Sequence, residues 1–91
     1  MHTEAEIEIN FTKLTGIEDD YREVTFTGNA SWENDSFTHE FGTEKFESYL
    51  MVEDIKWDKS LYSEAENTFI QAYHDNNDNW NSIHKQLADN V

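Results

Sequence analysis

The hydrophobic period of this chain changes once. Up to residue 58 apolar side chains recur at every second position, and from residue 60 they recur at every third and fourth. Period two belongs to a strand with one buried face, and period three-to-four to a helix with one buried stripe. Strands that all precede the helices cannot build the alternating units of a parallel sheet, so the pattern points to an antiparallel meander with helices laid over one side. The expected fold is therefore α+β: a three- or four-stranded antiparallel β-meander followed by two C-terminal α-helices packed on one face. At 91 residues the chain has room for one core, and residues 1–91 are expected to form a single domain.

Individual elements follow from the same pattern. Residues 5–14, AEIEINFTKL, place Ile7, Ile9 and Phe11 on one side and Glu6, Glu8, Asn10 and Thr12 on the other, which predicts a first strand. A polar turn, TGIEDD, separates it from a second strand, YREVTFTGNASW. There Val24, Phe26, Gly28, Ala30 and Trp32 point inward, opposite Glu23, Thr25, Thr27, Asn29 and Ser31. ENDS at 33–36 reads as a turn into a third strand, FTHEFG, that ends at Gly42. Residues 43–50 fit either a strand or one helical turn. A strand is expected from Ser48 to Trp57, bulged at Glu53 and Asp54 because Val52 and Ile55 fall out of register. Ser60 is the expected N-cap of a helix carrying Tyr62, Ala65, Phe69 and Tyr73, which DNNDN at 75–79 ends. Trp80, Ile83 and Leu87 mark a second helix.

A polar chain with 36% hydrophobic residues needs large side chains to make a core, and its 14% aromatic content supplies them. Tyr62, Phe69 and Trp80 are the expected core anchors. Cysteine is absent, which rules out disulfides and thiolate metal sites and suits a reducing compartment. The first residues, MHTEAEIEIN, lack the basic and apolar segments of a secretory leader, and no apolar run approaches the ~18 residues of a membrane span. A soluble, cytoplasmic protein is expected, with no membrane partner.

Catalytic and metal-binding patterns are not legible. His2, His39, His74 and His84 have no ligand spacing, and His39 reads as a packed strand residue. Asp75, Asn77 and Asn79 begin like a calcium loop, but Trp80 stands where that loop needs glycine and Gln86 where it needs glutamate. Gly16, Gly28 and Gly42 are too scattered to cradle a phosphate. The expectation is a protein that is not an enzyme and has no cofactor.

The charge carries the functional signal. Twenty acidic against six basic residues give a net charge of −14, beyond the ~2–8 that solubility asks of a small domain. Fifteen of the acids and four of the bases lie in residues 1–58, so the sheet is the charged half. Such a surface repels nucleic acid and anionic membranes, and it attracts a strongly basic protein. Glu4, Glu6 and Glu8, spaced ~6.6–6.8 Å apart along one face of a strand, form an acidic array with Glu18, Asp19 and Asp20 of the turn, Glu23 of the next strand, and Glu33 and Asp35 of the following turn. A polar outward face is required of any one-sided sheet, yet lysine would serve that purpose equally well.

In size, acidity, lack of cysteine and aromatic content the whole chain resembles the small acidic phage proteins that mimic DNA, of the anti-restriction and anti-CRISPR type. It is similar in the same way to acidic immunity proteins that cap toxic nucleases. The resemblance implies an inhibitor that occupies the basic nucleic-acid-binding surface of a target protein, in the host cytoplasm if phage-encoded. The partner implied is a basic nucleic-acid-binding protein or nuclease complex, met by a monomer or a homodimer. The alternative is an acidic interaction module with an unrelated partner.

Overall fold

The structure is a computed structural model that describes the backbone of residues 1–38 and 44–91 and the side chains of residues 1–33 and 50–91. Strand β1 (His2–Asn10) leads into a short helix α1 (Thr12–Thr15), followed by β2 (Tyr21–Thr38), β3 (Glu44–Trp57), a 3-10 turn (Lys59–Leu61), α2 (Glu64–Asp75) and α3 (Asn77–Asp89). The strands form one antiparallel sheet in the order β1-β2-β3, and both long helices pack on one of its faces. The α+β arrangement is as the change of period implies.

β1 begins three residues earlier than the pattern of residues 5–14 suggests and stops at Asn10. The Asn10 side chain accepts the Thr12 amide at 2.9 Å. This local bond bends the chain into α1, which Gly16 ends at φ 73°. Phe11, at that bend, is still fully buried.

The turn expected at 33–36 is not there. Glu33, Asn34, Asp35 and Ser36 continue β2 and pair with Tyr49, Ser48, Glu47 and Phe46 of β3. Four polar residues read as a turn only where a strand has a face to bury. Beyond Ala30 the strand runs past the end of β1, as a two-stranded ribbon outside the covered sheet. Trp32, expected inward, shows the change: it lies on the inner side yet is 62% exposed. The separate third strand FTHEFG is likewise overturned, since Phe37 and Thr38 finish β2, while residues 39–43 lie outside the described residues. Residues 44–50 are strand, not helix. The ribbon draws the molecule out to 61 × 23 × 18 Å.

A bulge is present, one residue further along than the Glu53 and Asp54 expected. Thr27 pairs with Lys56 and Asn29 with Glu53, which leaves Asp54 and Ile55 opposite the single residue Gly28. Asp54 takes the left-handed conformation, φ 55°, which aspartate tolerates better than most residues. The extra residue puts Val52, Ile55 and Trp57 on the inner side. Gly28 makes the close approach possible, because a Cβ there would lie 2.8 Å from Val52 Cγ1 and 3.2 Å from the Glu53 carbonyl oxygen.

Ser63, not Ser60, caps α2. It accepts the Glu66 amide while the Glu66 carboxylate accepts the Ser63 amide, a reciprocal capping box. Ser60 sits instead in the 3-10 turn, where Asp58 accepts its amide and hydroxyl. The break before α3 narrows to Asn76, whose side chain accepts the amides of Asp78 and Asn79. The residues that resembled a calcium loop thus end one helix and start the next.

The core lies between sheet and helices. Ala5, Ile7 and Ile9 of β1, Val24, Phe26 and Ala30 of β2, and Val52 and Trp57 of β3 meet Ile70, Ile83 and Leu87 from the helices. Tyr62 and Phe69 are partly buried against this cluster, Phe69 with its ring centroid 5.1 Å from that of Phe11. Trp80 is not a core anchor. It lies in the first turns of α3, 39% exposed, and packs on His84. Ile83 and Leu87, on the same helical stripe, are the residues over the sheet.

Candidate functional site

Strand alternation divides the sheet into two faces with opposite electrostatics. On β1, Thr3, Ala5, Ile7 and Ile9 are buried, while Glu4, Glu6 and Glu8 are exposed on the side without helices. The ladder then fixes their neighbours: Glu4 faces Thr27, Glu6 faces Thr25 and Glu8 faces Glu23. Glu33 and Glu53 stand further out on the same side, paired with Tyr49 and Asn29. Side chains directly opposite in an antiparallel pair have Cβ atoms ~4.5–5.5 Å apart, so the open face is a lattice of carboxylates at close spacing. Glu8 against Glu23 is a like-charge pair, an arrangement that opposes sheet formation.

Little on this face neutralises it. Lys56 is paired with Thr27. Among the described residues, no lysine or arginine forms an ion pair with Glu4, Glu6, Glu8, Glu23 or Glu33. The His2 imidazole lies 3.0 Å from Glu4 Oε1. Glu33 accepts a hydrogen bond from Ser31 Oγ at 3.4 Å.

The inner side treats its charges differently. Arg22, opposite Ile9, lies over the Phe11 ring at 4.7 Å and holds two carboxylates, Asp20 beside it and Glu66 on α2. The guanidinium hydrogen bonds and the Thr15 hydroxyl hold the Asp20 carboxyl below its ordinary range. Glu66 is lowered as well, first by the Ser63 backbone and side chain and then by Arg22. One cation and two anions here tie β2 to α2.

The candidate array accordingly separates. Glu4, Glu6, Glu8, Glu23 and Glu33 share the open face. Glu18 and Asp19 are exposed in the turn that adjoins its Asn10–Tyr21 end, where Tyr21 is exposed too. Asp20 is drawn to Arg22 and is not part of the open face. Asp35 lies in β2 opposite Glu47, with its side chain outside those described. Glu53 was missed, because its place depends on the bulge register and not on the alternation of a single strand.

Chemically the face is a fixed set of anions, with a depression of about 400 Å³ lined by Glu4, Glu6, Thr25 and Asn90. A shallow groove of about 670 Å³ lies on the helical side, between Trp57, Lys59 and the Asn67, Gln71 and Asp75 side chains of α2. No group of three or more metal-ligating side chains converges among the described residues. Such a lattice binds cations and polycations, and it binds best a surface whose positive charges share its spacing. Comparison with protein-family models, with curated proteins and with solved structures finds no match to this chain.

Proposed function

We propose that the protein is an acidic inhibitor that occupies the basic nucleic-acid-binding surface of a target protein and displaces nucleic acid from it. The observation that carries this reading is the lattice of Glu4, Glu6, Glu8, Glu23 and Glu33 on a face left free by the helices, where no lysine or arginine among the described residues pairs with them. Folding has no use for Glu8 opposite Glu23, and the same chain compensates its inner charges through Arg22. Carboxylates ~6.6–6.8 Å apart along a strand match two steps of a nucleic-acid strand at ~3.4 Å each. A length of 61 Å corresponds to about 18 such steps. The field of a −14 domain steers a basic cleft toward it and repels nucleic acid itself.

Two measurements test the reading. A low-salt mobility-shift assay with plain duplex should show no complex with this protein. A titration into a complex of target and labelled duplex should release the duplex stoichiometrically, with saturation near one equivalent, and excess duplex added beforehand should compete. Release by trace amounts that persists after the protein is removed would indicate an enzyme instead. Binding to the target without release would indicate an interaction module.

A further inference from the structure

β3 is one margin of the sheet, and its outer edge changes character along its length. At Val52 the backbone amide faces away from β2 and donates to His84 Nε2 of α3 at 3.4 Å. Trp80 packs on that imidazole with ring centroids 5.0 Å apart. Ala30, the ladder partner of Val52, directs both its amide and its carbonyl toward Met1 on the opposite side. These bonds set the phase of the ladder. Val52, Leu50, Ser48, Phe46 and Glu44 turn their backbone groups outward, while Met51, Tyr49, Glu47 and Lys45 turn theirs toward β2. α3 closes the edge at Val52, and further along no fourth strand pairs with it among the described residues.

An open edge is a template for strand pairing, and a ribbon of two strands is marginally stable in water. Apolar surface flanks the place where the edge opens: Leu50 is partly buried, its cross-strand neighbour Trp32 is exposed, and Trp80 is exposed beside His84. The ribbon and the bulge carry Glu33, Asp35, Glu44, Glu47, Glu53 and Asp54 against Lys45 alone. A second copy of the chain would bring the same charge against itself, whereas a basic segment complements it.

We infer that the outer edge of β3 takes up an extended basic segment of the target protein as a fourth strand. Main-chain hydrogen bonds to Leu50, Ser48 and Phe46 hold the segment. Its alternate apolar side chains settle beside Leu50 and Trp80, and its lysine or arginine side chains lie on the open face toward Glu53. The inference rests on the reading of the target as a basic protein, and it adds to the acidic face a directional contact that charge alone does not supply.

The test uses the intact protein and three short peptides as probes: one alternating arginine and valine, one alternating glutamate and valine, and the arginine–valine peptide N-methylated throughout. The arginine–valine peptide should slow hydrogen exchange of the Leu50 amide by about tenfold or more, as a new hydrogen bond does, and leave Met51 unchanged. The other two peptides should leave Leu50 as it is. Ser48→Pro removes an outward amide and no bond to β2, and it should weaken arginine–valine binding by about tenfold. An unchanged Leu50 at saturating arginine–valine peptide, equal binding of the N-methylated peptide, or full binding by folded Ser48→Pro overturns the assignment. Loss of nucleic-acid displacement with Leu50 still protected removes the functional reading and supports the edge. Displacement of nucleic acid from the target with Leu50 unprotected does the reverse.

Discussion

The two faces of the sheet share every backbone atom and differ in almost everything else. Ile7 and Ile9 on one side are buried in the core, and Glu6 and Glu8, one residue away, stand in solvent. The inner face gives its carboxylates a cation, with Arg22 set between Asp20 and Glu66, while the outer face sets Glu8 against Glu23. The contrast separates what the sequence spends on folding from what it carries in spite of folding. Inner-face substitutions should therefore destabilise the protein, and outer-face substitutions should leave it as stable or more so.

The largest effect should come from Phe26→Ala. Phe26 is fully buried and meets Trp57 edge-on at 5.7 Å between ring centroids, and its truncation should cost ~3–5 kcal/mol in chemical denaturation. A cost as small as that of a surface change would mean that the core lies elsewhere. Next comes Gly28→Ala, which places a Cβ 2.8 Å from Val52 Cγ1 and against the Glu53 carbonyl. The Val52 side chain or the β3 backbone must shift, so a loss of ~1–3 kcal/mol is expected. A neutral result would show that the bulge opposite Gly28 is more pliable than its register implies.

Ser63→Ala removes half of the capping box and should cost ~1 kcal/mol. The same corner has a pH signature. Asp20 and Glu66 have folded pKa values below their ordinary ones, so their contribution is fully present above the ordinary carboxylate range and is lost as pH falls through the lower folded values. Arg22→Met should flatten stability against pH in that acidic window. An unchanged profile would mean that the guanidinium does not hold these carboxylates in solution.

The smallest effect has the opposite sign. Glu23→Gln removes the like charge facing Glu8 and should raise stability by ~0.2–1 kcal/mol. Added salt should likewise raise the melting temperature of the parent protein, since screening relieves the crowded face. A fall in melting temperature with salt would show that the acids are mostly paired, and the contrast between the faces would fail.

Much of this division was legible in the sequence, for a physical reason. Alternation in TEAEIEIN and in YREVTF reports burial on one side directly, so the acids of β1 and Glu23 could be placed from the pattern alone. The bulge was legible too, because Val52 and Ile55 cannot share a face without an extra residue. ENDS was not, since polar residues in an uncovered ribbon carry no alternation to read, and only their partners in β3 show them to be strand. Trp32 and Trp80 misled in the same way: both keep the phase of a buried stripe but lie where the second layer stops short. Asp20 looked equivalent to Glu18 and Asp19 until Arg22 was placed over Phe11, a contact set by the chain's return and not by local spacing.

The central claim is that the open acidic face stands in for nucleic-acid phosphates. Its most direct test is the release of labelled duplex from the target, with the target obtained by capture on the immobilised protein and salt elution, comparing the parent with the double variant Glu6→Gln, Glu8→Gln and with Glu64→Gln on the helical side as control. The account predicts that the double variant melts no lower than the parent, yet needs well over tenfold more protein to release the duplex, since each carboxylate paired with a buried cation is worth ~2–5 kcal/mol. Glu64→Gln should release it as the parent does. Release by the double variant at the parent's concentration, or equal harm from Glu64→Gln, would contradict the claim.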